Sequence, residues 1–297
     1  MRYLFYAVIS LAFLFAILQY VPPKGIQSAP SSFSVGRDRL PLIFAHRGGR
    51  GLYPENTLAA FTGARDLGVD GVEFDLHLTK DAVVVVCHDP TIDRTSNGSG
   101  TIAEMTYDEL KDYNYAYHFR DDEGDNPYLA DPQSLPTLDQ VLEVVGGMYL
   151  IIEIKEDGIN GAHVADQVAR KIREKGLLDR VLVSSFQDEI VDYIHRNYPD
   201  IKTSSGEKAI TQYARLTSLQ LGYFYQATDA AMSLPTTEYG VDLRKFNIIQ
   251  GLKKRNMAAI YWTVNEAEEM QMLIDLKVDG IITDYPDVLK AIIKDLE

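Results

Sequence analysis

The sequence predicts an α/β fold: a (β/α)8 TIM barrel with an insertion after strand 3, preceded by an N-terminal transmembrane helix. Three observations predict it. From Leu40 onward, short β-branched runs alternate with helical stretches, which implies a parallel sheet with crossover helices. Eight strand candidates fall within residues 40–297, a usual length for one such barrel. The Gly-x-Gly-x-x-Gly turn of a dinucleotide-binding open sheet is absent after the first strand, which disfavours a doubly wound sheet.

In chain order, residues 1–23 read as a transmembrane anchor or signal segment. Leu4 to Val21 is an 18-residue run without a charge, close to the roughly 20 residues needed to span hydrocarbon as a helix. Gln27-Ser28-Ala29 is a poor signal-peptidase site because Gln27 is not small. An uncleaved single-span anchor with the barrel outside the cytoplasm is therefore the reading adopted. Cleavage to a secreted or periplasmic protein is the alternative. Arg2 against Lys24 is too thin a charge difference to orient the span. Residues 24–39 form a linker, and 40–297 form the barrel.

The strand candidates are Pro41–Ala45, Val72–Leu78, Val83–Cys87, Met148–Ile154, Arg180–Ser184, Ile201–Ser204, Ala258–Val264 and Gly280–Thr283. Helical candidates between them are Thr57–Leu67, Leu138–Val145, His163–Lys175, Asp188–Asn197, Ala267–Leu276 and Pro286–Lys294. Residues 92–135 lack a clean period, are acidic and tyrosine-rich, and read as an insertion of the kind that becomes a lid or binding element. The barrel also needs a helix–strand unit near Thr211–Leu243, where the pattern is weak.

Composition removes several function classes. The net charge of −14 and the lack of a Lys/Arg-rich block argue against nucleic-acid binding. Cys87 is the single cysteine, so no intrachain disulfide forms. By strand alternation its side chain points away from the mouth, and it reads as packing.

Barrel active sites lie at the C-terminal strand ends. The polar residues there are His46 and Arg47 after the first strand, Glu73, Asp75 and His77 on the second, and His88 and Asp89 after the third. Glu153 and Lys155 end the fourth, and Asp284 the eighth. Glu73 and Asp75 share a strand face, as do Glu153 and Lys155. Three carboxylates at one mouth repel unless a cation sits between them, and oxygen ligands suit one divalent cation, Ca2+ or Mg2+. His46 and His88 flank them and suit acid–base work near neutrality. Arg47 and Lys155 are phosphate-binding types. A metal, two cations and two histidines together suggest a phosphate ester. His77 reads as a hydrogen-bonded interior residue, deeper in the barrel. Asn56 reads as a helix cap and site scaffold. Asp284 either orients a site group or caps the following helix. Asn97-Gly98-Ser99 fits a glycosylation sequon and reads as a turn.

These residues sit in an ordered set of motifs: His46-Arg47-Gly48-Gly49, Pro54-Glu55-Asn56-Thr57, Gly71-Val72-Glu73-Phe74-Asp75, His88-Asp89, Asp93-Arg94-Thr95, Glu153-Ile154-Lys155, Trp262-Thr263-Val264-Asn265 and Asp279-Gly280-Ile281-Ile282-Thr283-Asp284. The set resembles the glycerophosphodiester phosphodiesterase family from about Leu40 to the C-terminus. The resemblance implies a (β/α)8 barrel, with His46 and His88 as the acid–base pair and Glu73, Asp75 and Glu153 as metal ligands. It implies Arg47 and Lys155 as phosphate contacts, Trp262 as a wall of the substrate pocket, and the insertion as a cap that helps select substrate. The expected reaction is metal-dependent hydrolysis of a glycerophosphodiester to sn-glycerol 3-phosphate and an alcohol. The nearest rival is a lysophospholipase D acting on lysophospholipids, since the region around Met232-Ser233-Leu234-Pro235, together with the apolar N-terminus, resembles the family's membrane-anchored branch. A catalytically silent, membrane-tethered binding barrel is the rival from another class. The expected partners are thus a small-molecule or lysolipid phosphodiester and, through the N-terminal helix, the membrane. Oligomeric state is not legible.

Overall fold

The computed structural model describes Tyr6 and residues 30–36, 39–238 and 240–296. Among these, ten strands occur: β1 (Leu42–His46), β2 (Gly71–Leu78), β3 (Val84–Val86), β4 (Tyr149–Ile154), β5 (Val181–Ser184), β6 (Ala231–Pro235), β7 (Thr237–Glu238), β8 (Val241–Asp242), β9 (Ala258–Trp262) and β10 (Gly280–Thr283). Seven pair in parallel in the order β5-β4-β2-β1-β10-β9-β6. Thr203 bridges to Val183 and Ser204 to Ala231, which closes the ring between β5 and β6. The sixth predicted strand is thus only a two-residue stave. The predicted barrel is observed, with a different set of eight staves.

The third predicted strand is the correction. β3 pairs antiparallel with β2, Leu76 opposite Val86 and Leu78 opposite Val84, and is no barrel stave. The turn between them is too short for a parallel crossover, which needs a dozen residues or more. The missing stave is β6, which lies with helix Glu207–Ser218 in the region of weak pattern. The insertion therefore follows the second stave and begins with the β2–β3 hairpin. It has its own apolar cluster, built on Val85, Ile92, Ile102, Leu110 and Leu135.

Inside the ring, Phe44, Ile151, Leu182, Ala231, Ile260 and Ile282 interdigitate, each buried large apolar side chain stabilising by about 1.5–3 kcal/mol. Gly71 is required here: a Cβ would lie 2.6 Å from the Phe44 ring. Phe33 closes the lower end, fully buried, its ring 6.2 Å from that of Phe44 and 5.2 Å from that of Tyr149. Its flanks are held there too: the Ser31 N–H donates to the Asn256 carbonyl and the Val35 N–H to Asp279 Oδ1. Residues 31–35 thus pack against the face opposite the strands' C-terminal ends. No helix among the described residues is long and apolar enough to cross a membrane. The predicted span at residues 4–21 lies, but for Tyr6, outside the described residues.

Candidate active site

Strand register assembles the carboxylates. His46 is level with Glu73, and Asp75 with Glu153. One oxygen from each of Glu73, Asp75 and Glu153 lies within 4.8 Å of the others. Glu73 and Asp75 are buried. Burial, then the charges of Asp75 and Glu153, hold the Glu73 carboxyl well above the usual range. Burial also raises Glu153, against the pull of Lys155. Asp75 is held below its usual range: burial acts upward, but Lys155, Arg47, His88 and an Asn56 hydrogen bond outweigh it. Lys155 Nζ sits 2.6 Å from Glu153 Oε1 and 2.9 Å from Asp75 Oδ1.

His46 is fixed by β10. Its Nδ1 lies 2.6 Å from Asp284 Oδ1. A carboxylate only accepts, so Nδ1 carries the proton. The other nitrogen, Nε2, is turned to the carboxylates, 3.8 Å from Glu73 Oε2. Asn265 Nδ2 donates to Asp284 Oδ2 at 2.8 Å, and Arg50 Nε lies 3.0 Å from Oδ1. Asp284 therefore orients His46; the next helix takes Tyr285 at its N-cap and has no side-chain cap.

His88 arrives by a different route. β2 runs past the barrel rim, and β3 returns along it until the Cys87 N–H donates to the Asp75 carbonyl. His88 is thereby delivered to the mouth. Its Nδ1 lies 2.7 Å from Asp89 Oδ1, which leaves Nε2 for the pocket that the ring lines. Burial lowers its pKa, with Asp75 and Asp89 acting against the shift. His77, by the same geometry, lies beyond the rim and not deeper. Its Nδ1 is 2.8 Å from Glu156 Oε1 and its Nε2 3.1 Å from the His88 carbonyl.

Arg47 and Asn56 both take left-handed backbone, with φ of 51° and 56°. For non-glycine residues this costs energy and clusters at functional sites. It turns the Arg47 N–H onto Glu73 Oε2 at 3.1 Å. The Arg47 guanidinium bonds Glu55 Oε1 at 2.9 Å, and its Nε lies 3.5 Å from Asp75 Oδ2. Asn56 is not the cap. Thr57 is, its side chain accepting from the Ala60 N–H. Asn56 instead donates its N–H to the Arg47 carbonyl and Nδ2 to Asp75 Oδ2 at 3.0 Å, bracing the site.

A cavity of about 140 Å³ joins these groups, lined also by Ser184, Phe186 and Trp262. Phe186 and Trp262 meet edge to face, ring centres 5.7 Å apart. All ten residues expected from the sequence thus lie at or directly against one mouth. Missed were Glu55, Asp89, Arg94 and Phe186 as working parts. Asp89 adjoining His88 was the available signal; the Glu55–Arg94 ion pair reaches across 39 positions, which no local pattern shows.

The sequence profile of the glycerophosphoryl diester phosphodiesterase family matches residues 46–288. A glycerophosphodiester phosphodiesterase of Caldanaerobacter subterraneus is 34% identical over 262 residues, which cover 85% of this chain and 98% of that protein. A lysophospholipase D of Rattus norvegicus is 25% identical over 273 residues, which cover 85% of this chain and 86% of that one. Among solved structures, a phosphodiesterase of Oleispira antarctica in complex with the product sn-glycerol-3-phosphate superposes with a TM-score of 0.69 at 23% identity, covering 86% of this chain and 97% of that chain. With the profile spanning nearly the whole barrel and its mouth, the chain belongs to the glycerophosphoryl diester phosphodiesterase family.

Proposed function

We propose that the chain hydrolyses glycerophosphodiesters to sn-glycerol 3-phosphate and an alcohol, using a divalent cation and the pair His46 and His88. The observation that carries this reading is the convergence of Glu73, Asp75 and Glu153 between those two histidines. The donor set fits such an ion: three converging carboxylates, two of them raised chiefly by burial and further by one another's charge. All-oxygen ligands suit Ca2+ or Mg2+. When bound, the ion supplies charge that neutralises phosphate oxygens and favours ionisation of the nucleophile.

The chain's own residues do the rest. Arg47 and Lys155 face the phosphate, the first with a buried Nε that has no hydrogen-bond partner. One histidine takes the proton of the attacking hydroxyl as its oxygen bonds phosphorus. The other gives a proton to the leaving alkoxide as the second P–O bond breaks. The attacking hydroxyl is that of water or the substrate's own 2-hydroxyl; trapping a cyclic phosphate separates the two. Trp262 and Phe186 form the aromatic part of the pocket wall, with Lys155 Nζ 5.8 Å from the centre of the Phe186 ring.

The tether bears on substrate. If Leu4–Val21 lies in a bilayer, residues 22–29 reach at most about 28 Å from it. Ser31 and Phe33 meet the barrel at the face opposite the mouth. We read the segment as an anchor, or a cleaved leader, with the barrel outside the cytoplasm, working on a water-soluble diester. The similarity to the rat enzyme keeps lysophospholipid as the second reading. The test is choline release from glycerophosphocholine and lysophosphatidylcholine by the barrel, with and without EDTA, for the native sequence, His46→Ala and His88→Ala. Chelator-sensitive release from glycerophosphocholine, lost in both variants, is expected. Preference for the lysolipid moves the reading to lysophospholipase D, and full activity in either variant overturns the histidine roles.

A further inference from the structure

Arg94 stands in the insertion, six residues past His88, and takes no part in the proposed proton transfers or phosphate contacts. Its geometry is unusual for a half-exposed arginine. Nε donates to Asp89 Oδ2 at 2.6 Å. Nη1 and Nη2 donate to the two oxygens of Glu55 at 2.8 and 2.7 Å. Each of these carboxylates also holds a residue of the site: Asp89 Oδ1 faces His88 Nδ1 at 2.7 Å, and Glu55 Oε1 accepts from Arg47 Nη1 at 2.9 Å. We infer that Arg94 is a positioning residue which fixes both flanks of the phosphate site at once, His88 through Asp89 and Arg47 through Glu55. The inference rests on the roles proposed for His88 and Arg47.

The loop that carries Arg94 is built to be stiff. Ile92 is fully buried in the insertion's own cluster. Asp93 accepts from Ser99 Oγ at 2.6 Å and from the Gly100 N–H at 3.1 Å, and Ser96 Oγ donates to the Ile92 carbonyl at 2.7 Å. The guanidinium is thus placed by the fold of the insertion, and a correctly folded insertion becomes a condition for an aligned mouth. A planar fork is needed: one edge takes Glu55 bidentately while Nε reaches Asp89, and a lysine ammonium cannot do both in that geometry. Arg94 and His88 hold Asp89 ionised, its pKa lowered to about 2 against the effect of burial. Arg94 and Arg47 likewise hold Glu55 below the usual carboxyl range.

Without the guanidinium, Asp89 loses the bond that keeps its second oxygen on His88. Glu55, still largely buried, is left to Arg47 alone and draws that side chain from the phosphate. The two losses separate kinetically. Asp89→Asn lowers kcat with KM little changed. Glu55→Gln raises KM, with the smaller effect on kcat. Arg94→Met does both, with kcat lowered about 10- to 100-fold, as misplacement of about 1 Å gives. Guanidinium ion added at millimolar concentration to Arg94→Ala restores part of kcat, which a purely structural role does not predict. The experiment measures kcat, KM and thermal melting for these variants beside the native enzyme and His88→Ala. Should Arg94→Met fail to fold, Arg94→Lys replaces it, with intermediate losses in both constants expected. Native kcat and KM per folded molecule in Arg94→Met or Arg94→Lys overturn the inference. So does a loss in which the single carboxylate variants do not divide between kcat and KM. An inactive native enzyme, or an active His88→Ala, overturns the hydrolysis reading instead.

Discussion

Asp284→Asn tests the orientation of His46 with one atom changed. Oδ1 receives His46 Nδ1–H at 2.6 Å and Arg50 Nε at 3.0 Å, while Oδ2 receives Asn265 Nδ2 at 2.8 Å. An amide at position 284 has only one oxygen. If that oxygen stays toward His46, its NH2 meets the NH2 of Asn265, donor against donor, in a buried site. Asn265 cannot flip to escape, because its Oδ1 already accepts from the Asp284 N–H at 3.0 Å and the Thr283 hydroxyl at 3.3 Å. If the amide turns the other way, its NH2 faces His46 Nδ1 and forces the other tautomer, with the proton on the nitrogen that faces the carboxylates. The first outcome costs about 1–3 kcal/mol for unsatisfied buried donors, a clash the second avoids, so the second prevails. The second removes one proton-transfer group, about 10²- to 10⁴-fold in rate. A fall in kcat of at least about 100-fold is expected, measured as sn-glycerol 3-phosphate release, with a melting temperature lowered by a few degrees. The geometry also supplies a rescue. In the double variant Asp284→Asn with Asn265→Asp, a carboxylate at 265 accepts from the new amide, the backbone N–H and the Thr283 hydroxyl, while the amide oxygen again faces His46 and Arg50. The double variant should recover at least about tenfold over the single one. Native activity in the single variant, or a double variant no better than the single while both stay folded, refutes the orientation argument.

Removing the Asn56 brace should weaken the cation site without touching its ligands: Asn56→Ala is expected to lower metal affinity about 10- to 100-fold, read by titrating Ca2+ or Mg2+ against the fluorescence of Trp262, the chain's single tryptophan, and an unchanged midpoint contradicts it. His195 Nε2 lies 2.7 Å from Thr203 Oγ1 and 3.2 Å from Asp229 Oδ1, and the Asp229 hydrogen bond raises its pKa against burial. A raised folded pKa means stability fully present below about 6.5, the ordinary histidine value, and lost as pH rises through the folded value. Melting measured from pH 5.5 to 8.5 should therefore fall by more in the native chain than in His195→Gln; parallel curves dispose of the link. Phe33→Ala should cost about 3–5 kcal/mol, toward the lower end because the Ser31 and Val35 backbone bonds remain. Urea unfolding measures this, and a loss under about 1 kcal/mol shows that the lower end is not closed as described.

The barrel and its charged mouth were legible because both depend on short-range pattern. Glu73-Phe74-Asp75 places two carboxylates on one strand face whatever the rest of the chain does. What the sequence obscured has physical causes. β3 has the composition of a barrel strand, and only the length of the turn before it shows that it must run antiparallel. That turn is also why His88 reaches the mouth, so its place there follows from a hairpin and not from a barrel stave. Asn56 and Thr57 are both good caps, and the left-handed backbone at Asn56, invisible in composition, hands the cap to Thr57. β6 escaped notice because Ala231-Met232-Ser233-Leu234-Pro235 lacks a β-branched run, carries a serine that faces inward and ends in proline, and Thr203–Ser204 contributes only isolated bridges. The Arg94 fork was illegible because its partners come from separate loops, each joined only by the folded insertion.

The charges at the mouth give the strongest physical reason to expect a divalent ion there. An acidic chain repels a phosphodiester at long range, so positive charge must be concentrated where the phosphate lands. Arg47, Arg94 and Lys155 supply three positive charges, and each is already engaged by carboxylates among Glu55, Glu73, Asp75, Asp89 and Glu153. Five carboxylates against three cations leave two negative charges uncompensated while both histidines are neutral. Glu73 and Glu153, raised first by burial and then by carboxylate repulsion, are the two pushed upward, while Glu55 and Asp89, held by guanidinium, are pulled down. An ion of two positive charges offsets that deficit. An anionic substrate binding without it adds to the repulsion, and the arginines, committed to Glu55 and Asp89, have little charge left to counter it.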